Sequence, residues 1–233
     1  MSDTSQLITQ NVRSAVEMLR ESNYDASINA LRCALDGLSS SVPRDLATSN
    51  GCGSAALRIE AAPLRLQNNR GSLPEVCRSE HSVGLLMIYS CLFQFPEGTK
   101  EELLFCRENI SRATAVIVYD LALAYHLRGL SGLDQEENLR SALKLYKVAF
   151  GTLFDQGGCH SDFEKIISLA ILNNKGHIHW ELFEMESVKD CMNWIKSLLH
   201  SCYEEGSTTD LRAFSFIVVL WECQLGLPAS PAA

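Results

Sequence analysis

Tyr119-Asp120-Leu121-Ala122-Leu123-Ala124-Tyr125, a Gly129 break, and then Ala142-Leu143-Lys144-Leu145-Tyr146-Lys147-Val148-Ala149-Phe150 decide the fold reading. Apolar residues recur at helical spacing on both sides of the break, so the stretch reads as two helices joined by a turn. Small residues at Ala122, Ala142 and Ala149 suit helices that cross at about 8–10 Å, while Tyr125 and the bulky Tyr146 fill the spaces beside them. The pattern recurs downstream. Asn173-Asn174-Lys175-Gly176-His177-Ile178-His179 stands where residues 119–125 stood, and Val188, Met192 and Ile195 take the places of Ala142, Tyr146 and Ala149. A third, weaker copy has Ala15 and Met18, Tyr24 at the turn, and then Ser27, Leu31 and Ala34. The first copy differs by about eight extra residues, roughly 130–137, which are expected to lengthen its turn.

Outward from these hairpins, the 3.6-residue period predicts about seven helices, at 6–22, 25–38, 101–128, 136–154, 163–182, 187–203 and 210–224. Residues 39–82 are rich in Ser, Gly, Asn and Pro and read as a loop-rich insertion. Within the insertion, Leu57 to Leu66 alternates around Pro63, which limits it to an edge strand. Residues 83–95 are apolar and aromatic, flanked by Gly84 and Pro96. A two-stranded β-ribbon pairing 57–67 with 85–95 is the expectation. The organisation is an N-terminal hairpin at 1–38, the insertion at 39–100, helical repeats at 101–225 and a Pro-rich tail at 226–233, forming one domain overall. The fold class is mainly α.

The repeats resemble the tetratricopeptide-repeat (TPR) pattern. There a Leu-Ala or Leu-Gly pair and a Tyr lie on the first helix, a Gly ends it, and a spaced Ala, aromatic, Ala set follows on the second. The likeness covers residues 111–204 well and 6–38 loosely, and the chain reads as a short, irregular TPR-like αα-hairpin array. The strings ALAYHLRGL and AILNNKGHIHWELFE are also similar to an uncharacterised group of TPR-like proteins from unicellular algae. What the resemblance implies is a non-catalytic adaptor that binds a peptide or helix of a partner in a groove lined by the first helices. Positions facing such a groove are Tyr119, Leu123, His126 and Leu127 from one hairpin, and Asn173, His177, Trp180 and Glu181 from the next, with Trp180 and Tyr119 as anchors. Repeat-packing positions are Ala122, Tyr125, Ala142, Tyr146, Ala149, Gly176, Val188 and Met192. Some TPR domains clamp a terminal carboxylate with Lys, Asn and Arg. Asn174 matches one such position, but Tyr119 and Leu123 replace the others, so the clamp is not carried over.

Composition narrows the classes. With 20 basic and 28 acidic residues the net charge is −8, opposite to the basic surplus of nucleic-acid proteins and unsuited to an anionic membrane. The longest apolar stretch has 13 residues, short of the about 20 that span a bilayer. The start lacks the basic and apolar regions of a secretory signal. Nine cysteines, an odd number without C-x-x-C spacing, fit reduced thiols in a cytoplasmic or nuclear protein better than disulfides or zinc.

Catalysis and metal binding find little to stand on. His177 and His179 lie two apart on a helix, about 200° around its axis, and cannot share a metal locally. Cys159-His160 and Cys191 add thiols and an imidazole but no ligand spacing, and no phosphate-binding Gly-rich loop exists. No metal, cofactor or catalytic residue is expected. The apolar C-terminal helix, with Leu211, Phe214, Phe216, Ile217, Val218, Val219, Leu220 and Trp221, could fill the groove instead of a partner. Two alternatives stand beside the adaptor reading. One is a small-molecule sensor or enzyme with a pocket near Trp180, His177 and Tyr119; the other is self-association through an exposed ribbon edge or helix face.

Overall fold

The computed structural model describes residues 3–41, 57–64, 89, 91–96, 99, 104, 107–154, 161–204 and 211–226. Among these are seven helices and one two-stranded sheet. The helices are α1 (Asp3–Arg20), α2 (Tyr24–Ser41), α3 (Arg107–Leu130), α4 (Gln135–Phe154), α5 (Asp162–Glu181), α6 (Met185–Glu204) and α7 (Arg212–Gln224). Strands β1 (Glu60–Pro63) and β2 (Cys91–Gln94) pair antiparallel, with Glu60 opposite Gln94 and Pro63 opposite Cys91. The fold is therefore mainly α with a small β-ribbon, and the ribbon is shorter than the one expected. Residues 42–56, 65–88 and 227–233, the 101–103 start of the third expected helix, and Cys159-His160 lie outside the described residues.

Two compact units make up the chain. The first comprises residues 1–64 and 90–167, the second residues 65–89 and 168–233, and α5 begins in the first and continues in the second. In the first unit α2 packs on α1 and α3, α3 on α4, and β2 on α3 and α1. The reason lies in α3. Residues 115–124 are buried without a break, and a helix that is apolar on every side has to sit inside.

Backbone chemistry closes the hairpins in a shared way. After α1, Ser22 takes a left-handed conformation (φ 59°). The Asn23 N–H then donates to the Met18 carbonyl at 2.8 Å and the Ser22 N–H to Leu19 at 3.0 Å, which satisfies carbonyls a helix end would otherwise orphan. Asn23 Oδ1 accepts the Ala26 N–H at 3.3 Å, capping α2. After α5 the same closure recurs: Phe183 has φ 59°, and Glu184 and Phe183 donate to His179 (2.8 Å) and Trp180 (3.0 Å).

The extra residues of the middle hairpin do not form a long turn. Relative to the other two hairpins, three lengthen α3, four lengthen α4, and one joins the turn, which is only residues 131–134. Gly129 stays helical; a Cβ there would lie 3.1 Å from Leu139 and 3.2 Å from the Gln135 carbonyl, so glycine permits the helix ends to approach. The break falls at Gly132 (φ 88°), and Asn138 Nδ2 secures it by donating to Leu133 O at 2.7 Å.

A reciprocal cap starts α5. The Ser161 N–H donates to Glu164 Oε2 at 3.0 Å, and the Glu164 N–H donates to Ser161 Oγ at 3.3 Å. Arg112 Nε reaches across from α3 to Glu164 Oε1 at 2.9 Å. Such capping boxes satisfy two orphan donors at once. Ser161→Ala is expected to cost about 1 kcal/mol, read as a lower urea midpoint with an unchanged slope.

Candidate functional site

Three polar side chains of α3 and α5 hold the backbone of residues outside the helices. In the first unit, Asn109 Oδ1 of α3 accepts the Leu57 N–H at 3.2 Å, and Asp120 Oδ1, also of α3, accepts the Phe93 N–H at 3.0 Å. The Phe93 ring packs on Tyr119 (centroids 5.2 Å apart) and edge-on to Phe163 (5.5 Å). In the second unit, Asn174 of α5 grips a single residue at two points. Its Oδ1 accepts the Tyr89 N–H at 2.9 Å, and its Nδ2 donates to the Tyr89 carbonyl at 3.2 Å. The Tyr89 ring stacks on Phe214 of α7, 5.0 Å between centroids and 26° between planes. A side-chain amide carries an acceptor and a donor in one planar group, so it can satisfy both backbone groups of one residue at once.

Asp120 is fully buried, and burial raises its carboxyl well above the usual carboxylate range despite the opposing Phe93 hydrogen bond. Its Oδ2 has no hydrogen-bond partner among the described residues. A buried, half-satisfied carboxylate is costly, so the acid prefers its proton. The folded state binds that proton more tightly than the unfolded chain. The resulting stabilisation is therefore complete below the unfolded value of about 3.9 and is lost as pH rises toward the folded one. Asp120→Asn keeps an acceptor for Phe93 and cannot ionise. Its advantage over the wild type in chemical unfolding is expected to grow between about pH 4 and pH 7; a constant difference would show that Asp120 does not titrate on unfolding.

The residues expected to face an open groove are mostly inside. Tyr119, Leu123 and His126 of the first unit are buried. Tyr119 lies 5.7 Å from the Tyr146 ring and His126 6.2 Å from it, edge-on. Leu127 is buried as well. In the second unit Asn173 and His177 are buried, while Trp180 and Glu181 are half-buried. An exposed groove lined by all of these is thus corrected: α3 and the buried part of α5 have no polar face to leave in solvent. The pocket expected of Tyr119 with His177 and Trp180 is assembled within neither unit, since Tyr119 belongs to the first and the others to the second.

The packing positions behave more simply. Ala122, Ala142, Tyr146, Ala149, Gly176, Val188 and Met192 are buried and Tyr125 is half-buried, with its hydroxyl taken by Arg32.

Gly176 marks where α7 meets α5. A Cβ built there would lie 1.6 Å from Trp221 Cη2, so the indole rests directly on the helix backbone. The last helix therefore covers part of α5, as one of the two expectations had it. It is buried on one side only: Leu211, Phe214, Ile217, Val218 and Trp221 point inward, while Phe216 and Val219 are 57% and 52% exposed. Against α6, α7 runs antiparallel, tied by Tyr203 Oη to Ser215 Oγ (2.9 Å) and by Lys196 Nζ to Glu222 Oε1 (2.5 Å). Beside Gly176, burial lowers the His177 imidazole to about 4 and raises the Glu181 carboxyl. Their 4.0 Å approach is consequently not an ion pair at neutral pH.

Sequence reasoning missed Asn109 and Asp120, and reached Asn174 only through a carboxylate clamp it set aside. Only Asp120 carried a signal, a lone acid inside the apolar run 115–124, which must find a partner when buried; Asn109 stands among Arg107, Glu108 and Arg112, and Asn174 beside Asn173 and Lys175. Among the described residues no group of three or more His, Cys, Asp or Glu could hold a metal ion, the cysteines at 33, 191 and 223 are free, and no helix is long and apolar enough to cross a membrane. No protein-family model, curated protein or solved structure matches the chain.

Proposed function

We infer that the protein is a non-catalytic interaction module, an irregular relative of TPR proteins, that recognises an extended segment of a partner protein. The observation that carries this reading is the two-point grip of Asn174 on one backbone residue. Side chains that satisfy both the N–H and the C=O of a single residue read main chain rather than sequence, and main-chain hydrogen bonds are how extended peptides gain affinity. A neighbouring aromatic, Phe214, supplies the ring contact that would add selectivity. Three hairpins with equivalent small and bulky positions support the TPR-like reading. So does the shared closing geometry of the first and last of them. The protein is read as an adaptor working in the cytoplasm or nucleus, without cofactor, nucleic acid or membrane.

Asn174→Asp tests this reading, because the acid keeps the acceptor and the shape but cannot donate to a carbonyl when ionised. Affinity purification with quantitative identification of retained proteins is expected to yield a partner with the wild type that is depleted with Asn174→Asp. The variant's Tm must stay within a few degrees for the comparison to count. Equal retention by both chains, or no enriched protein, would remove the interaction reading.

A further inference from the structure

The helices α1 and α7 meet solvent differently. On α1 the exposed side chains are Gln6, Leu7, Gln10, Glu17 and Arg20, four of them polar. On α7 the exposed described side chains are Phe216, Val219 and Cys223, with Leu220 half-buried among them, and none carries charge. These four stand at i, i+3, i+4 and i+7, so they form one stripe on the side of the helix opposite Phe214 and Trp221. Tyr203 of α6, more than half exposed, lies along its edge through the hydrogen bond to Ser215. Glu222 is turned inward and paired with Lys196. The helix thus has two apolar faces, and the described residues cover one of them. A helix apolar on every side belongs in an interior.

We propose that a second copy of this chain covers the outer face of α7, the two helices pairing antiparallel about a two-fold axis. Charge selects this occupant. With a net charge of −8 two copies repel wherever their surfaces are ionic, and on this stripe they meet without opposing like charges. Shape agrees. With the axis between Val219 and Leu220, Phe216 of each copy lies against Cys223 of the other, so the largest residue of the stripe faces a small one, as a self-complementary contact requires. The area suffices for a reversible pair. The outward parts of Tyr203, Phe216, Val219, Leu220 and Cys223 come to roughly 500 Å² per copy, so pairing buries about 1,000 Å², the lower bound for a specific interface. The proposal goes beyond the interaction reading, which rests on Asn174, and stands or falls separately.

The test is sedimentation velocity on the whole chain, from about 1 to about 300 μM. Dithiothreitol keeps the exposed Cys33 and Cys223 from bridging copies. A monomer–dimer equilibrium with a dissociation constant on the order of 10 μM is expected. Raising salt from about 50 to about 500 mM should tighten it or leave it unchanged, because screening removes repulsion between like-charged copies. Phe216→Glu should weaken the dimer at least about tenfold, and Val219→Lys, with the opposite charge, should do the same. Both positions are exposed, so neither variant should lower the Tm of the monomer; if one of them fails to fold, the other decides. Val148→Glu, at a similarly exposed apolar position of α4, should leave the dimer intact. A monomer across the whole range, a dimer indifferent to both stripe variants, one equally lost in Val148→Glu, or one that salt dissociates would each overturn the proposal. So would a monomer whose wild type, but not Phe216→Glu, retains a different protein from cell extract, because the face then belongs to that protein.

Discussion

Gly176→Ala is expected to destabilise the second unit by at least about 3 kcal/mol, at or above the upper end of what overpacking usually costs. In an exposed helix the same change would stabilise by about 1 kcal/mol, because alanine is the better helix former. The sign of the effect therefore decides whether the close approach is real. The added methyl would meet Trp221 at 1.6 Å, and the indole is almost entirely buried and rigid, so relief requires α7 to move off α5. Trp221→Ala approaches the same contact from the other side and is expected to cost about 3–5 kcal/mol by leaving a cavity. Because the two residues touch, their effects should not add: Gly176→Ala combined with Trp221→Leu is expected to recover part of the loss. All three tryptophans, 180, 194 and 221, lie in the second unit, so tryptophan emission during urea unfolding reports this unit alone. An unchanged or raised midpoint for Gly176→Ala would show that the indole does not rest on that backbone.

Acid should loosen the second unit through His177. Burial lowers this imidazole from 6.5 to about 4, so the folded state holds it neutral while the unfolded chain lets it take a proton. The sign follows from that difference. Stability from this group is present above the unfolded value and is lost as pH falls from about 6.5 through about 4, by up to roughly 3 kcal/mol when 1.36 kcal/mol accompanies each pKa unit. Glu181 opposes part of this loss, since its raised carboxyl stabilises the folded state on protonation. The measurement is the tryptophan-detected urea midpoint at a series of pH values, for the wild type and for His177→Phe. The wild-type midpoint should fall more steeply toward pH 4 than that of the variant. Parallel curves would mean that His177 is as accessible to protons when folded as when unfolded. Asp120 in the first unit runs the other way, so a probe confined to one unit is needed to see either slope.

Seven apolar runs of helical period announced seven helices, and the observed bounds fall within a few residues of the expected ones wherever both are described. Local chemistry accounts for this success. Ser22-Asn23 and Gly132 punctuate the chain where they stand, and the period of 3.6 is a property of each segment alone. The ribbon was legible for the same reason, from alternation around Pro63 and the apolar run before Pro96. Extra residues 130–137 were visible as a count, yet their place was not. A longer hairpin can lengthen its loop or its helices, and the choice depends on whether the added turns find something to pack on, as Gly129 finds Leu139 and Gln135.

Groove and site were less readable. Tyr119, His126 and Asn173 occupy positions that would face a groove if α3 and α5 were amphipathic. Residues 115–124 and 167–174, however, are buried throughout, and no face was left over. The sequence held that information in the apolar character of both runs, and a single-face reading of the repeat passed over it. What the sequence by itself determined is the set of helices, their hairpin pairing and the equivalence of Ala122, Gly176 and Ala15, because propensity, period and turn chemistry act over a few residues. Which partner meets the polar atoms of Asn109, Asp120 and Asn174, and why residue 176 must be glycine, only the tertiary structure decided. Those answers depend on Leu57, Phe93, Tyr89 and Trp221 arriving from distant parts of the chain, and no local rule specifies which distant backbone satisfies a buried amide.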